Sequence, residues 1–274
     1  MAVLQETNNM ALFCDFENVA LGVRDAKYAQ FDISKVLERL LLKGSIVVKK
    51  AYCDWERYKD FKAPMHEASF ELIEIPHVRQ SGKNSADIRM VVDALDLCYT
   101  KSHVKTFVII SGDSDFSPLV SKLRENNKTV IGVGVKKATS DLLVANCDEF
   151  IFYDDLVREQ ESKPRTRKKA PAKTASPNGK VTAKTEDESD KKQEALDLVT
   201  GTLEALATER SEGENIWGSM IKQAIKRRSP GFNESYYGFR SFNALLEEAK
   251  VRQLVELEAD EKSGGYIVRL SRQE

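Results

Sequence analysis

The sequence has no long apolar run and few cysteines or histidines, and each shortage excludes a class of protein. No apolar run in the 274 residues approaches the roughly 20 that a membrane helix needs. The N-terminus MAVLQETNN lacks the basic region and apolar core of a secretory signal, so we expect a cytoplasmic protein with no membrane partner. The four cysteines show no CxxC spacing, which predicts buried thiols rather than disulfides or zinc ligands: Cys14, Cys53, Cys98 and Cys147. Three histidines far apart in sequence do not predict a metal triad: His66, His77 and His103.

Two phosphate-binding patterns are also missing. Neither a GxxxxGK[ST] loop nor a GxGxxG turn occurs, which argues against a nucleotide-binding enzyme. The net charge is −1, so total charge does not indicate a nucleic-acid binder and the distribution of charge matters more. With 41% apolar and 31% charged residues, the chain has the composition of a globular protein with room for one mid-sized and one smaller domain.

Strand and helix signals alternate through residues 1–160. Short apolar or β-branched runs predict six strands: Ala11–Phe16, Ser45–Tyr52, Phe70–Pro76, Thr106–Gly112, Thr129–Val135 and Glu149–Tyr153. Helical spacing of apolar residues predicts the helices between them: Phe31–Gly44, Glu56–Ala68, Ser85–Lys101, Asp115–Asn126 and Thr139–Asn146. This order predicts an α/β domain with a parallel sheet covered by helices on both faces.

A change of composition separates this region from a second predicted domain. Residues 161–192 are rich in Lys, Pro, Ala, Thr and Ser, which predicts a flexible basic linker. Its basic run, Lys163 to Lys184, favours non-specific attraction of RNA over a mere spacer role. Residues 193–274 predict three helices and then two strands, the order of a small α+β winged-helix domain: Glu194–Ala207, Trp217–Arg228, Gly238–Lys250, Leu254–Glu258 and Gly265–Leu270.

Carboxylates follow two of the predicted strands. Asp15 ends the first strand, and Asp113 and Asp115 follow the fourth. Since ligands of open parallel sheets bind at the carboxyl ends of strands, we expect these side chains to converge. A third carboxylate, Asp87, opens the long helix beside Lys83.

Such a group of carboxylates predicts a divalent metal site. Clustered acids raise one another's pKa, and a hard cation such as Mg²⁺ or Mn²⁺ removes that cost. A bound cation of this kind can generate hydroxide next to a phosphate. The predicted ligands are Asp15, Asp87, Asp113 and Asp115, with Asn18 in support.

Simpler roles compete with metal binding for some of these residues. Asp115 could cap a helix, and Asp87 lies in a first helical turn, where acids favour the helix dipole. Asp15 and Asp113 are harder to explain in this way, because a charge next to a buried strand is costly. Asp93 lies about 120° around the helix from Asp87 and is not expected to reach the same ion.

The segments that carry these acids resemble the NYN family, a branch of the PIN-like nucleases. The resemblance lies in FCDFENV, in the helix entry from Lys83 to Asp87 with RMVVDAL after it, and in VIISGDSDFSPLV, between Met10 and Tyr153. It implies a Rossmann-like fold with an acidic Mg²⁺ or Mn²⁺ site that acts on RNA. The family's catalytic positions fall on Asp15, Asn18, Asp87, Asp113 and Asp115.

The C-terminal region resembles the LOTUS (OST-HTH) domain in SPGFNESYYGFRSF and the residues around it. That resemblance implies RNA binding or, in some members, protein binding. Basic residues suit phosphates and tyrosines can stack on bases, which gives these RNA-binding candidates: Lys83 from the first domain, with Lys222, Lys226, Arg227, Arg228, Tyr236 and Arg240. The alternatives are a solvated basic face and core aromatics; we expect Phe239 and Phe242 to be core, while Tyr236 and Tyr237 stay open.

The sequence thus predicts a metal-dependent endoribonuclease that cleaves single-stranded RNA with a metal-activated water. The alternative is an RNA-binding regulatory protein that does not cleave. A phosphatase of the aspartyl-phosphate type is disfavoured, because it needs a second aspartate two residues after the first and Glu17 stands there.

Overall fold

The structure, a computed structural model, describes residues 8–75, 85–162, 183–209, 215–260 and 265–271. The chain divides into two compact units, Met1–Gln160 and Glu161–Glu274. Of the helices in these described ranges, none is both long and apolar enough to cross a membrane.

The first unit contains a six-stranded sheet in which every neighbouring pair of strands is parallel. Its spatial order is β3-β2-β1-β4-β5-β6. The strands are β1 (Asn9–Asp15), β2 (Ser45–Cys53), β3 (Glu71–Glu74), β4 (Val104–Ile110), β5 (Thr129–Gly134) and β6 (Glu149–Phe152). The predicted parallel sheet is confirmed.

Helices cover both faces of this sheet. They are α1 (Phe16–Asp25), α2 (Ile33–Leu41), α3 (Lys59–Glu67), α4 (Ser85–Thr100), α5 (Ser117–Glu125), α6 (Asp141–Asn146) and α7 (Tyr153–Ser162). Buried side chains of α1, α2, α3 and α7 share one core with one face of the sheet. Those of α4, α5 and α6 share a second core with the other face.

Strand β1 has an unbroken apolar run from Met10 to Cys14, and its surroundings explain why. Leu12 and Cys14 point into the first core, whereas Ala11 and Phe13 point into the second. Phe13 stacks on Phe107 of the neighbouring strand β4, with ring centroids 6.0 Å apart. A strand buried on both faces has no solvent side, so the alternation of apolar and polar residues disappears.

The order of strands places a topological switch point between β1 and β4. The chain proceeds outward from β1 to β2 and β3, and it then crosses back to add β4 on the other side of β1. At such a point the connections after the two central strands diverge to opposite faces and leave a crevice at their carboxyl ends. Asp15 and Ser111–Asp113 lie there.

Two helices of this unit are not predicted by the sequence. Helix α1 contains Gly22 and two β-branched residues, Val19 and Val23, which weaken its local helix signal. Its buried residues Phe16, Val19 and Val23 nevertheless have the i, i+3, i+7 spacing of an amphipathic helix. Helix α7 directly follows β6 and reaches Ser162, into the range predicted as linker.

The second unit has three helices followed by an antiparallel hairpin, the predicted order. These elements are α8 (Ala183–Glu209), α9 (Gly218–Arg228), α10 (Phe242–Val251), β7 (Val255–Ala259) and β8 (Tyr266–Leu270). Trp217 adds an antiparallel bridge to Ile267 of β8. Helices and hairpin share a core that includes Phe239 and Phe242, so the prediction that these two residues are core is confirmed.

Two boundaries of the second unit differ from the prediction. Helix α8 begins at Ala183, not Glu194, because straight-chain charged residues extend a formed helix at little cost. Assigning residues 183–192 to the linker was therefore wrong, while the basic residues Lys163 to Lys180 lie outside the described ranges. Helix α10 begins at Phe242 because the hydroxyl of Ser241 accepts the backbone N–H of Ala244 and caps it.

Candidate active site

Asp15 lies at the centre of the switch point and is 8% exposed. Its Oδ2 accepts a hydrogen bond from Ser111 Oγ at 3.0 Å, which links the ends of β1 and β4. Its Oδ1 accepts the backbone N–H of Asn18 at 3.3 Å, so Asp15 also caps α1. Burial and the negative charges of Asp87 and Asp113 together raise the pKa of Asp15 to about 7, although these two hydrogen bonds oppose the change.

Asn18 and Gly112 fix the path of the chain after β4. The backbone N–H of Gly112 donates to Asn18 Oδ1 at 2.8 Å, so the amide of Asn18 acts here as a bridge within the protein. A Cβ atom at position 112 would lie 2.1 Å from the carbonyl oxygen of Ala138. Glycine is therefore required for the close approach of these two loops.

Asp113 is placed by the turn that follows Gly112. Its backbone N–H donates to Ser111 Oγ at 3.2 Å, and its own Oδ1 accepts the N–H of Asp115 at 3.0 Å. Asp113, and not Asp115, therefore caps the short 3-10 helix Ser114–Phe116. The capping role considered for Asp115 belongs to its neighbour, and Asp115 itself is exposed in the first turn.

Asp87 comes from the opposite side of the cleft, in the first turn of α4. Burial raises its pKa first, and the negative charges of Asp113, Asp115 and Glu17 add to this. These carboxylates are thus close enough to disfavour one another's ionised form. Asp93, one helical face away, has other partners, since its carboxylate accepts bonds from Tyr52, Lys50 and Arg89.

One cleft of about 340 Å³ collects most of the predicted site residues. It is lined by Asp15, Glu17, Asn18, Leu21, Cys53, Asp54, Arg57, Ile75, Ala86, Asp87 and Asp113. Asp115 faces a neighbouring surface with Ser117 and Pro118 instead. Lys83 lies outside the described residues.

The donor set of the cleft suits a hard divalent cation by its chemistry. It offers the carboxylates of Asp15 and Asp87, whose pKa values are raised by burial and by neighbouring negative charges. A bound cation would remove the free-energy cost of ionising them. Across the described ranges, however, no three His, Cys, Asp or Glu side chains are gathered tightly enough to form a ready-made metal group. The carboxylates line one cleft, but they are not already arranged around a common position that a cation could occupy.

Three charged residues of the cleft are not among the predicted site residues: Glu17, which the sequence favoured as a surface neighbour of Asn18 over a ligand, and Asp54 and Arg57, which it did not indicate. Arg57 Nη1 lies 3.1 Å from Glu17 Oε1 at the cleft mouth. Asp54 and Arg57 directly follow β2, and a search of every strand end for polar residues would have found them. Their relevance depends on β2 lying beside β1, which the sequence does not reveal.

The candidate RNA-binding residues of the second unit fall into two groups. Arg227 and Arg228 at the end of α9 are exposed, as is Arg240, whereas Lys226 is half-buried. Lys222 is paired with Glu234 at 2.6 Å.

The two tyrosines that the sequence left open are half-buried and pack on each other. The rings of Tyr236 and Tyr237 meet edge to face at 5.0 Å. Tyr237 also stacks on Phe232 of the core. Stacking of either ring on an RNA base stays a prediction.

The fold and the cleft together define a class of protein. A parallel α/β sheet of the order β3-β2-β1-β4-β5-β6, with a crevice at its switch point, is a doubly wound, Rossmann-like domain. Residues 9–154, more than half of the chain, match the NYN domain family, and the chain belongs to that family. It is thereby a member of a family of nuclease domains.

Two similar proteins each match a little over half of the chain. An uncharacterised protein of Methanocaldococcus jannaschii is 25% identical over 143 residues, which are 52% of this chain and 56% of the relative. The chain thus matches a little over half the length of that curated relative. A protein of unknown function from Vibrio parahaemolyticus, known from its crystal structure, has 26% sequence identity and a TM-score of 0.49; the match covers 56% of this chain and 96% of that one.

Proposed function

We propose that the protein is a metal-dependent endoribonuclease that cleaves single-stranded RNA. The observation that carries the proposal is the shared cleft of Asp15, Asp87 and Asp113 at the β1–β4 switch point. Burial and the neighbouring negative charges raise the pKa values of Asp15 and Asp87, so ionising these two carboxylates is costly without a cation. Groups with such perturbed pKa values are typical of active sites.

In this proposal Asp15, Asp87 and Asp113 hold Mg²⁺ or Mn²⁺, with Asp115 and Asn18 in direct or water-mediated support. A cation held there would supply a water activated for attack and would offset negative charge on the phosphate. A modest closure of α4 towards β1 and β4 would be needed, since the carboxylates line the cleft without surrounding one point.

The protein's own groups orient these ligands. Ser111 Oγ donates to Oδ2 of Asp15 and also accepts the N–H of Asp113, so one hydroxyl connects two carboxylates. Asn18 holds Gly112 and thereby the start of the turn that carries Asp113. Side chains fixed in this way lose little entropy when substrate binds, which favours a defined geometry of attack.

The reaction is hydrolysis of a phosphodiester. The oxygen of water forms a bond to phosphorus, the bond from phosphorus to the 3′ oxygen breaks, and that oxygen takes up a proton. The products carry a 5′-phosphate and a 3′-hydroxyl. Products with 2′,3′-cyclic phosphates would instead identify the ribose hydroxyl as the nucleophile and contradict the mechanism.

The test compares matched Asp→Asn variants in a cleavage assay on labelled single-stranded RNA with Mn²⁺. Asp113→Asn and Asp87→Asn should lose Mn²⁺ binding and cleavage together, because each removes a ligand charge and keeps the shape. Asp96→Asn is the control, since Asp96 lies on the same helix as Asp87 and is exposed. Full cleavage by Asp113→Asn, with contaminating nuclease excluded, would contradict the site assignment.

A second candidate is an RNA-binding regulatory protein that does not cleave. The observation that favours it is the spread of the cleft carboxylates, which do not form a ready-made metal group among the described residues. Saturable RNA binding without Mg²⁺- or Mn²⁺-dependent cleavage of any single-stranded RNA or DNA tested would support this alternative.

We further propose that the second unit is a winged helix of the LOTUS type that binds RNA. Exposed Arg227 and Arg228 end α9, and Arg240 lies before α10, so these cations can neutralise phosphates. A protein partner is the competing role. A unit that captures RNA would raise the local substrate concentration at a cleft whose own charge repels polyanions.

A further inference from the structure

We propose that Arg57 binds a backbone phosphate of the substrate at the mouth of the acidic cleft, and that Glu17 holds its guanidinium in place. This inference rests on the proposed nuclease function and names a residue that the sequence patterns do not indicate. Of the described residues that line the cleft, Arg57 is the one that carries a positive charge.

The charge of the cleft makes such a residue necessary. Asp15, Glu17, Asp54, Asp87 and Asp113 all line it, so a phosphodiester that approaches meets carboxylates from several sides. A cation held by Asp15, Asp87 and Asp113 would act at the reacting phosphate. Neighbouring phosphates at the mouth of the cleft would still face the carboxylates of Glu17 and Asp54. A guanidinium beside them offsets this repulsion where the strand enters.

The backbone of Arg57 is hydrogen-bonded to Asp54, another residue that lines the cleft. The side chain of Asp54 accepts the N–H of Glu56 at 3.1 Å, and the N–H of Arg57 donates to the carbonyl of Asp54 at 3.1 Å. Trp55, 1% exposed, packs on Phe16, which directly follows Asp15. This turn therefore keeps a fixed position relative to the carboxylate of Asp15.

Aromatic contacts anchor the other side of Arg57 in the same way. Tyr58 meets the ring of Phe16 edge to face at 5.6 Å. Phe61, one turn further on, also meets Phe16 at 5.0 Å. The aromatic side chains that flank Arg57 thus pack on Phe16, the residue next to Asp15. We expect this packing to hold the backbone of Arg57 in place beside the cleft.

The pair with Glu17 orients the guanidinium and leaves it accessible. Arg57 Nη1 donates to Glu17 Oε1 at 3.1 Å, and the Arg57 side chain is 52% exposed. A guanidinium carries five N–H donors in a planar fork, and this bond uses one of them. The fork suits two oxygens of one phosphate, which a lysine ammonium cannot match.

The chain offers a matched control at the opposite edge of the sheet. Arg124, near the end of α5, pairs with Asp148 just before β6, with Nε 3.1 Å from Oδ1 and 46% exposure of the arginine side chain. Arg124→Ala removes the same charge and the same kind of ion pair as Arg57→Ala, far from the carboxyl ends of the strands.

The experiment measures binding of a fluorescent single-stranded RNA to the full chain over a series of KCl concentrations. All proteins carry Asp113→Asn, so that the RNA stays intact. Adding Arg57→Ala should weaken binding about five-fold, the upper end of the range for an ion pair at an exposed site. It should also lower the salt slope by about 0.7, the value for one phosphate contact in a single strand.

Two further variants separate this role from a structural one. Arg57→Lys should keep the salt slope, because the charge stays, but lose affinity, because the fork is gone. Arg124→Ala should change neither quantity. Equal affinities and slopes for the Arg57→Ala and Arg124→Ala proteins, with both folded by circular dichroism, would overturn the proposal.

The proposal and the nuclease function fail in distinguishable ways. The binding assay does not depend on cleavage, so an Arg57 effect on affinity would stand even if the protein without substitutions left RNA intact. Conversely, efficient cleavage combined with no effect of Arg57→Ala on affinity or slope would leave the nuclease and remove the arginine from its substrate site.

Discussion

Replacing Asp15 by Asn tests the electrostatics of the cleft through stability. Asp15 is buried, and its pKa is raised from the ordinary 3.8 to about 7. The folded protein therefore binds this proton more tightly than the unfolded chain does. The resulting stabilisation is complete below about pH 4 and is lost as pH rises through 7. In the absence of metal, ionised Asp15 thus destabilises the first unit at alkaline pH.

The size of the effect follows from the size of the pKa change. A rise from 3.8 to about 7 is about three units, and each unit corresponds to about 1.4 kcal/mol. Asp15→Asn removes up to about 4 kcal/mol of this penalty and loses about 1 kcal/mol with the hydrogen bond that Ser111 Oγ donates to Oδ2, because the amide NH₂ in its place cannot accept that bond. The variant should be more stable than the parent protein by about 3 kcal/mol at pH 8.5.

Urea unfolding with chelator present measures this difference. The chain has two tryptophans, so a Trp217→Phe background leaves buried Trp55 as a fluorescent reporter of the first unit. The stability gain should shrink from pH 8.5 to pH 4, and excess Mn²⁺ should stabilise the parent protein but not the variant. A lower stability of Asp15→Asn at pH 8.5, or a difference that does not change with pH, would refute the reasoning.

Of three further predictions, one concerns the turn after β4 and two concern the second unit. Gly112→Ala should destabilise the first unit by about 2 kcal/mol or more and abolish cleavage, because its Cβ would meet the Ala138 carbonyl oxygen at 2.1 Å. Gly201→Ala, which meets nothing within 4 Å in helix α8, is the control, and urea unfolding measures both. Charge reversal of Arg227 and Arg228 to Glu should lower RNA affinity and reduce the salt slope by about 0.7 for each lost phosphate contact, without changing Mn²⁺ binding. A chain ending at Gln160 should also have lower RNA affinity and a smaller salt slope, and it should keep cleavage at high RNA concentration. If RNA affinity and salt slope do not change in these variants, a protein partner for the second unit is favoured instead.

The sequence predicted the sheet, and the positions of two acids at the ends of its strands, because both depend on local patterns. Doubly buried strands are continuous apolar runs, and Asp15 and Asp113 stand where such runs end. The order of strands is not local, and for this reason Arg57, which follows β2, was missed. The capping role of Asp113 was missed as well, since which of two neighbouring acids turns inward depends on backbone angles.

The position of Asp15 combines two opposing influences on a carboxylate. As the N-cap of α1 it faces the positive end of a helix dipole and accepts a backbone N–H, both of which favour its ionised form. Burial and the charges of Asp87 and Asp113 disfavour that form, and they prevail, since the pKa rises to about 7. A structural cap gains nothing from acidic neighbours, and an asparagine or serine would cap the helix without the cost of a buried charge. Under the proposed function, a bound divalent cation would offset the cost of ionising this buried aspartate.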